Sequence, residues 1–243
     1  MTTSHDPAVV DGVKAVALLA VVAGHALAWN ATGDLSFGAT LDAEPGLWWA
    51  TWGFQVLPLF FLLSATGLRR VANATDGRAL AARISLLVVP VLPLYVITAI
   101  TAGLVGSRWP TLAQVAGFIP VQLTWFIAVY VLIVSAAPLL VRLRGLGLAA
   151  WLTAIPVVDI LRFTVHSACG WINMLLVWST FTVLGLRLAE LRQLPRRYLA
   201  GVLVSAVAFA GILISFGPYS KALVSAEHIP GASNLAPPTT VLL

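Results

Sequence analysis

The sequence predicts an all-α membrane protein built as a polytopic bundle of transmembrane helices. Of its 243 residues, 60% are hydrophobic and only 9% are charged, whereas a soluble globular domain carries about 25% charged residues. Apolar stretches of about twenty residues recur along the chain, and about twenty helical residues cross the hydrocarbon core of a bilayer. The net charge of +5 therefore reflects the loops of a membrane protein rather than affinity for nucleic acid.

We expect seven complete spans in a single domain covering residues 1–243. A short polar tail comes first, and polar or basic loops separate the apolar segments. Pro90 and Pro93 predict kinks in the third span, and Pro120 predicts a break or tilt in the fourth. In order, the predicted spans are 10–29, 47–68, 84–104, 115–140, 146–163, 171–189 and 198–216.

Residues 235–243 look like the first third of an eighth span and are too short to cross a bilayer. We therefore expect the domain to be incomplete at its C-terminal end, either because the record is truncated or because the chain is a natural fragment. No cleavable signal peptide is evident, and the first apolar segment is treated as a retained span.

The basic residues predict the orientation. With a cytoplasmic amino terminus, eleven of the fourteen Lys and Arg residues fall on the inner side and three fall outside, which follows the positive-inside rule. A cluster of tryptophans at the outer boundary fits an aromatic belt. The sequence thus indicates a multi-pass protein of the cell membrane. The outer basic residues are Arg108, Arg162 and Lys221, and the belt is Trp29, Trp48, Trp49 and Trp52.

The first span carries Lys14 and His25 on one stripe. They are eleven residues apart, so they differ by about 20° around the helix and about 16 Å along it. An ionisable residue inside a span usually faces protein or water. Burial keeps an imidazole neutral, and a neutral imidazole can take a proton from a hydroxyl that attacks an acyl group. The alternative is an interfacial histidine sharing a face with a snorkelling lysine, and this helix alone favours neither interpretation.

Arg78 and Arg83 are the best candidates in the basic loop 69–83 for holding phosphates of a cytoplasmic acyl donor, because arginine is a common phosphate ligand. Positive-inside topology alone is the preferred explanation for any single arginine there. Arg83 is the strongest candidate because it opens a span.

Candidate substrate-binding residues are Trp125, Ser64 and Asp159. Asp159 and Arg162 lie three apart and can pair on one helix face, and a self-neutralising interfacial pair is preferred over catalysis. Ser64 could be a nucleophile, but no base adjoins it in sequence. Trp125 and Tyr130 either line a cavity or pack against lipid or protein. Intramembrane Gln55, Gln122 and Asn173 have helix–helix hydrogen bonding as their default role.

Five stretches together resemble acyltransferase family 3, a family of integral membrane acyltransferases. Their order and spacing agree over nearly the whole chain. Each stretch alone is weak evidence for the family, but five stretches in the expected order and spacing are fairly specific. They are DGVKAVALLAVVAGHA with Lys14 and His25, PLFFLLSATGLRR, RALAARISLLVVPVLPLY, LTWFIAVYVLIVSAAPLL and FTVLGLRLAEL.

The sequence departs from the family pattern at several positions. Lys14 replaces the usual Arg and loses its bidentate geometry. Residues 64–67, SATG, stand where the family has Ser-Gly, and Arg78 and Arg83 are five apart rather than three. The seven spans and a fraction are also fewer than the family usually has.

The resemblance implies an O-acyltransferase that moves an acyl group, often acetyl, from acyl-CoA to a hydroxyl of a carbohydrate or other cell-envelope acceptor. His25 would be the general base, and Lys14 and Arg83 would hold the donor. The expected partners are the bilayer, acyl-CoA as co-substrate and a carbohydrate or glycolipid acceptor, with no permanently bound cofactor, no metal and no nucleic acid. The alternatives are a truncated non-catalytic family member, or a transporter or flippase. The transporter is disfavoured because no inverted repeat is evident.

Overall fold

The structure is a computed structural model, and it describes residues 7–28, 30–31, 37–38, 45–65, 68–69, 77–223 and 233–243. These residues are almost entirely helical, and the all-α prediction is confirmed. Two short strands, β1 (Asn30–Ala31) and β2 (Phe37–Gly38), pair antiparallel with Asn30 opposite Gly38.

The helices in chain order are α1 Pro7–Ala28, α2 Ala50–Gly53, α3 Leu57–Ala65, α4 Gly77–Val88, α5 Leu92–Val105, α6 Pro110–Ser135, α7 Ala137–Leu140, α8 Gly145–Thr164, α9 Trp171–Leu186, α10 Leu188–Leu191 and α11 Arg196–Phe216. Short 3-10 turns cover Pro45–Leu47, Val89–Val91, Ser167–Gly170 and Thr239–Val241.

Four helical stretches within the described residues are long and apolar enough to cross a membrane. They are Gly77–Val105, Gly145–Thr164, Ser167–Leu186 and Arg196–Phe216. These stretches show a membrane protein. The count of seven spans and the cytoplasmic amino terminus stay predictions.

The prolines act differently in different spans. The kink expected at Pro90 and Pro93 is present as the 3-10 turn Val89–Val91 between α4 and α5, where proline cannot supply the N–H that an α-helix needs. The break expected at Pro120 is absent, because α6 runs through that residue. Instead α6 ends at Ser135, and the chain turns at Ala136 before α7.

Two other segments differ from the predicted spans. Residues 50–65 form α2 and α3 rather than one helix, and Pro58 lies in the first turn of α3, where proline is well tolerated. Residues 235–243 form turns and the 3-10 segment Thr239–Val241 rather than the beginning of an α-helix. The adjacent prolines 237 and 238 lack the N–H groups that would extend one.

The chain divides into two compact units, residues 1–66 with 142–243 and residues 67–141. In the first unit α3 packs along α9, α8 packs against α9, and α1 packs against α3. The rings of Phe61 and Trp178 stack in its core at 5.5 Å between centroids. At Gly185 the backbones of α3 and α9 meet so closely that a Cβ would overlap the Leu62 carbonyl oxygen and approach the Ala65 Cβ at 2.7 Å.

In the second unit α5 and α4 both pack against α6. Tyr95 and Thr124 join α5 to α6 through a hydroxyl–hydroxyl hydrogen bond of 2.6 Å. The outward side chains of α4 and α5 are apolar and exposed, including Leu86 and Leu104. Such a surface is the one a bilayer covers.

Candidate functional site

The stripe carrying Lys14 and His25 lies on one unbroken helix, α1. The packed side of α1 is marked by Ala17, which is buried, and by Gly24, where a Cβ would lie 3.4 Å from the Phe54 ring. Lys14 is about 60° around the helix from Ala17, and position 25 is about 80° around in the same sense. The stripe therefore follows the edge of the packed face.

Lys14 forms an ion pair with Asp11, with 3.5 Å between Nζ and Oδ1, and its side chain is 41% exposed. It remains reachable for another anion, because an exposed ion pair of this kind contributes little stability. The backbone of His25 is part of α1, but its side chain lies outside the described residues.

The packing of α1 against α3 indicates which residues of the two helices lie at the same depth along their axes. Phe54, just before α3, lies beside Gly24. Lys14 is ten residues earlier on α1, about 15 Å away along its axis, and the end of α3 is a similar distance from Phe54. Consecutive spans cross a bilayer in opposite directions, so we expect Lys14 toward the end where α3 finishes, at about the level of Ser64. Position 25 lies toward the end where α3 begins.

Ser64 is half-buried in the last turn of α3. Its hydroxyl donates to the Phe61 carbonyl at 3.1 Å, which is a common intrahelical role for serine. The prediction that Ser64 binds substrate is not tested by this contact.

A polar cluster lies beside Phe54, at the level of position 25. Gln55 Nε2 donates to Asn234 Oδ1 at 2.8 Å, and Trp178 Nε1 donates to the Asn234 carbonyl at 3.1 Å. Gln55 Oε1 is buried and accepts no hydrogen bond from any residue that the structure describes. Sequence reasoning assigned Gln55 to helix–helix bonding. The structure pairs it instead with a residue 179 positions away, which no local signal indicates.

Asp159 is the centre of a second buried network. Its Oδ1 accepts from Asn173 Nδ2 at 2.9 Å and lies 3.4 Å from Arg162 Nη1. Its Oδ2 accepts from the Thr239 N–H at 2.6 Å, the Thr239 hydroxyl at 2.7 Å and the Tyr219 hydroxyl at 3.1 Å. Both carboxylate oxygens are therefore engaged, and a substrate would have to displace one of these donors.

The predicted pairing of Asp159 with Arg162 is confirmed, and the pair is buried inside the protein. Their side chains are 0% and 4% exposed, because the segment 233–243 folds over them. Arg162 Nη1 also donates to the Ala236 carbonyl at 2.7 Å. The pair anchors this segment to α8.

Tyr219 lies just beyond α11 and supports the same carboxylate. Burial, with the nearby negative charge of Asp159, raises the pKa of Tyr219 to about 12. The phenol therefore keeps its proton at neutral pH and acts as a hydrogen-bond donor to Asp159.

The other predicted site residues belong to the second unit. Arg83 Nη2 donates to the Tyr130 hydroxyl at 3.2 Å, which fixes the arginine of α4 on α6. Tyr130, predicted with Trp125 either to line a cavity or to make packing contacts, thus has a side-chain partner on α4. Arg78 is exposed near the start of α4, and Trp125 is half-buried on α6. The predicted donor site combines Arg83 with Lys14 of the first unit and stays a prediction.

Metal-ligating side chains do not gather within the described residues, where no three His, Cys, Asp or Glu side chains come together. The polar groups that do come together are amides, hydroxyls, one carboxylate and arginines. Such groups bind hydroxyl-bearing or anionic ligands.

The chain matches a family model described as an acyltransferase domain over residues 8–242. No curated protein and no solved structure matches the sequence. The matched range takes in all of α3 and α9, the Asp159 network and nearly all of α1 with Lys14 and His25. Because it covers almost the entire chain, and the five motifs follow one another in the same family order, the chain belongs to acyltransferase family 3.

Proposed function

We propose that the protein is a membrane O-acyltransferase that moves an acyl group, most often acetyl, from acyl-CoA to a hydroxyl of a carbohydrate or related cell-envelope acceptor. The observation that carries this proposal is the family match over residues 8–242, together with the continuous helix α1 that bears Lys14 and His25 on one stripe.

His25 is the proposed general base. Its neutral imidazole takes the proton of the acceptor hydroxyl while that oxygen attacks the thioester carbonyl carbon. The C–O bond forms, the C–S bond breaks, and the departing thiolate of coenzyme A takes the proton from the imidazolium. The acceptor gains the acyl group, and no other reactant is needed.

Lys14 and Arg83 are the residues proposed to bind the acyl donor. Arg78, five residues before Arg83, is a further candidate. The Lys14 level of α1 is about 16 Å from the level of His25, so the charged end of the donor and its reacting thioester occupy different depths. This separation suits a donor whose phosphates and acyl group are joined by a long flexible arm. Trp125, Ser64 and Asp159 remain candidates for contact with the acceptor.

Substitution of His25 tests the proposal. The assay measures transfer of radiolabelled acetyl from acetyl-CoA into the polysaccharide fraction of membranes that contain the protein. We expect His25→Gln and His25→Ala to lower the rate by about a hundredfold or more, because general-base catalysis contributes about 10²–10⁴. His166→Gln is the matched control, since His166 is exposed in the loop before α9.

Lys14→Ala should raise the KM for acetyl-CoA, and Lys14→Arg should restore it, with Lys221→Ala as the exposed-lysine control. Full transfer by His25→Gln would overturn the assigned mechanism. Membranes in which the unaltered protein moves no label would contradict the proposed function itself.

A further inference from the structure

Arg187 is a partly buried cation that the proposed reaction has not yet used. It follows α9 directly, one residue past the apolar stretch Ser167–Leu186. Its Nη2 atom is buried and has no hydrogen-bond partner in the part of the chain that the structure describes. Leaving a buried donor nitrogen without an acceptor is costly, so Nη2 needs an acceptor, and an oxygen of a bound anion can supply it.

Two common roles for an arginine at a helix end do not account for this atom. An arginine that caps a helix donates from its side chain to the last carbonyls. Here the Val183 and Leu184 carbonyls accept from the Arg187 backbone N–H instead. An arginine that snorkels places its head group in water or among lipid head groups, whereas Nη2 is shielded. Glu190 is the acid nearest in sequence, yet it does not pair with Nη2.

The surroundings of Arg187 bring two of the family-like stretches together. Gly185, two residues earlier, lies against Leu62 and Ala65 of α3, and Ser64 lies in the same turn as Ala65. The described part of FFLLSATG therefore meets the middle of FTVLGLRLAEL at Gly185. Because consecutive spans cross a bilayer in opposite directions, we expect Lys14 toward this same end of the first unit.

We propose that Arg187, together with Lys14, forms a binding site for a phosphate group. Arginine offers a planar fork of donors that binds phosphate in a bidentate manner, and lysine adds a compact positive charge. Arg187 is only partly buried, so a ligand can reach the guanidinium from its open side, and a turn of the side chain gives Nη2 its missing acceptor. This proposal rests on the proposed function in one respect: the phosphate is taken to belong to the coenzyme A portion of the donor.

Titration of coenzyme A into the purified full chain in neutral detergent tests the proposal. Loss of a charge-assisted hydrogen bond to phosphate should weaken binding about tenfold or more in Arg187→Met. Arg187→Lys should retain part of the affinity, because it keeps the charge but not the fork. Arg196→Met is the matched control, since it removes an exposed arginine that follows the same loop, and it should bind as the unaltered chain does.

An Arg187→Met variant with unchanged coenzyme A affinity and an unchanged preference for phosphatidylglycerol would overturn the site. A second arm measures binding to nanodiscs of phosphatidylcholine with and without phosphatidylglycerol. If Arg187→Met loses only the preference for phosphatidylglycerol, the donor assignment is overturned and the phosphate is that of a lipid. A chain that binds coenzyme A through Arg187 but transfers no acetyl would contradict the proposed function and leave the phosphate site standing.

Discussion

The two ends of α9 hold buried arginine atoms in opposite states. At the end near Asn173, Arg162 of α8 has an ion pair with Asp159 and donates to the Ala236 carbonyl. At the other end, about 21 Å along the helix, Arg187 Nη2 has no partner among the described residues. The first charge is satisfied by the protein itself and holds the fold together. The second leaves an unmet requirement that a ligand can fulfil.

The largest expected effect compares Arg162→Met with Arg187→Met. Removing Arg162 leaves the Asp159 carboxylate buried without its cation, and we expect a loss of about 3–5 kcal/mol in the free energy of unfolding. Removing Arg187 should change stability little, because its buried Nη2 makes no hydrogen bond within the described residues that could be lost. The measurement is the unfolding midpoint of the purified protein in detergent.

A double variant, Asp159→Asn with Arg162→Met, serves as the control, because it removes both charges and should recover part of the loss. An equal loss in Arg162→Met and Arg187→Met would abolish the contrast between the two ends of α9.

A smaller effect distinguishes two adjacent threonines that are both buried. The Thr239 hydroxyl donates to Asp159 at 2.7 Å, whereas the Thr240 hydroxyl has no partner among the described residues. Thr239→Val should cost about 1.5–3 kcal/mol, since the lost hydrogen bond involves a charged acceptor. Thr240→Val keeps the shape and removes an unpaired hydroxyl, so it should be neutral or stabilising. Denaturant titration of both variants checks this, and a larger loss in Thr240→Val would show that the order is reversed.

The smallest effect is expected at Tyr219. Its pKa of about 12 exceeds the ordinary value of about 10, so the unfolded chain loses this proton before the folded chain does. The stabilisation is therefore complete below about pH 10 and declines as the pH rises toward 12. Tyr219→Phe should lower stability by about 1.5 kcal/mol at neutral pH, the low end of the range for a charged acceptor, because its hydrogen bond is longer (3.1 Å) and only part-buried, and it should remove this part of the alkaline decline. Unfolding midpoints from pH 8 to pH 11 give the comparison, and an unchanged alkaline decline in Tyr219→Phe would contradict the assignment.

Local patterns predicted the helices well where the helix and the apolar run coincide. The predicted span 146–163 is α8, Gly145–Thr164, and the predicted span 198–216 is α11, Arg196–Phe216. The pairing of Asp159 with Arg162 was also accessible, because a spacing of three places both side chains on one helix face. These features depend on residues that are close in sequence.

Features that depend on distant residues were not accessible. Thr239 reaches Asp159 across 80 positions and Asn234 reaches Gln55 across 179, and neither contact leaves a periodic signal. Arg187 Nη2 lacks a partner because none of the described residues around it places an acceptor atom within reach. Such a lack is visible only in the three-dimensional structure. The continuous path of α6 through Pro120 depends on tertiary support in the same way.

The approach of α3 and α9 at Gly185 closes the seam between these two helices. There the two backbones touch with no room for even a methyl group, so the seam offers no lateral opening at that depth. Any ligand that enters the first unit from the plane of the bilayer must therefore pass elsewhere than between α3 and α9 at Gly185.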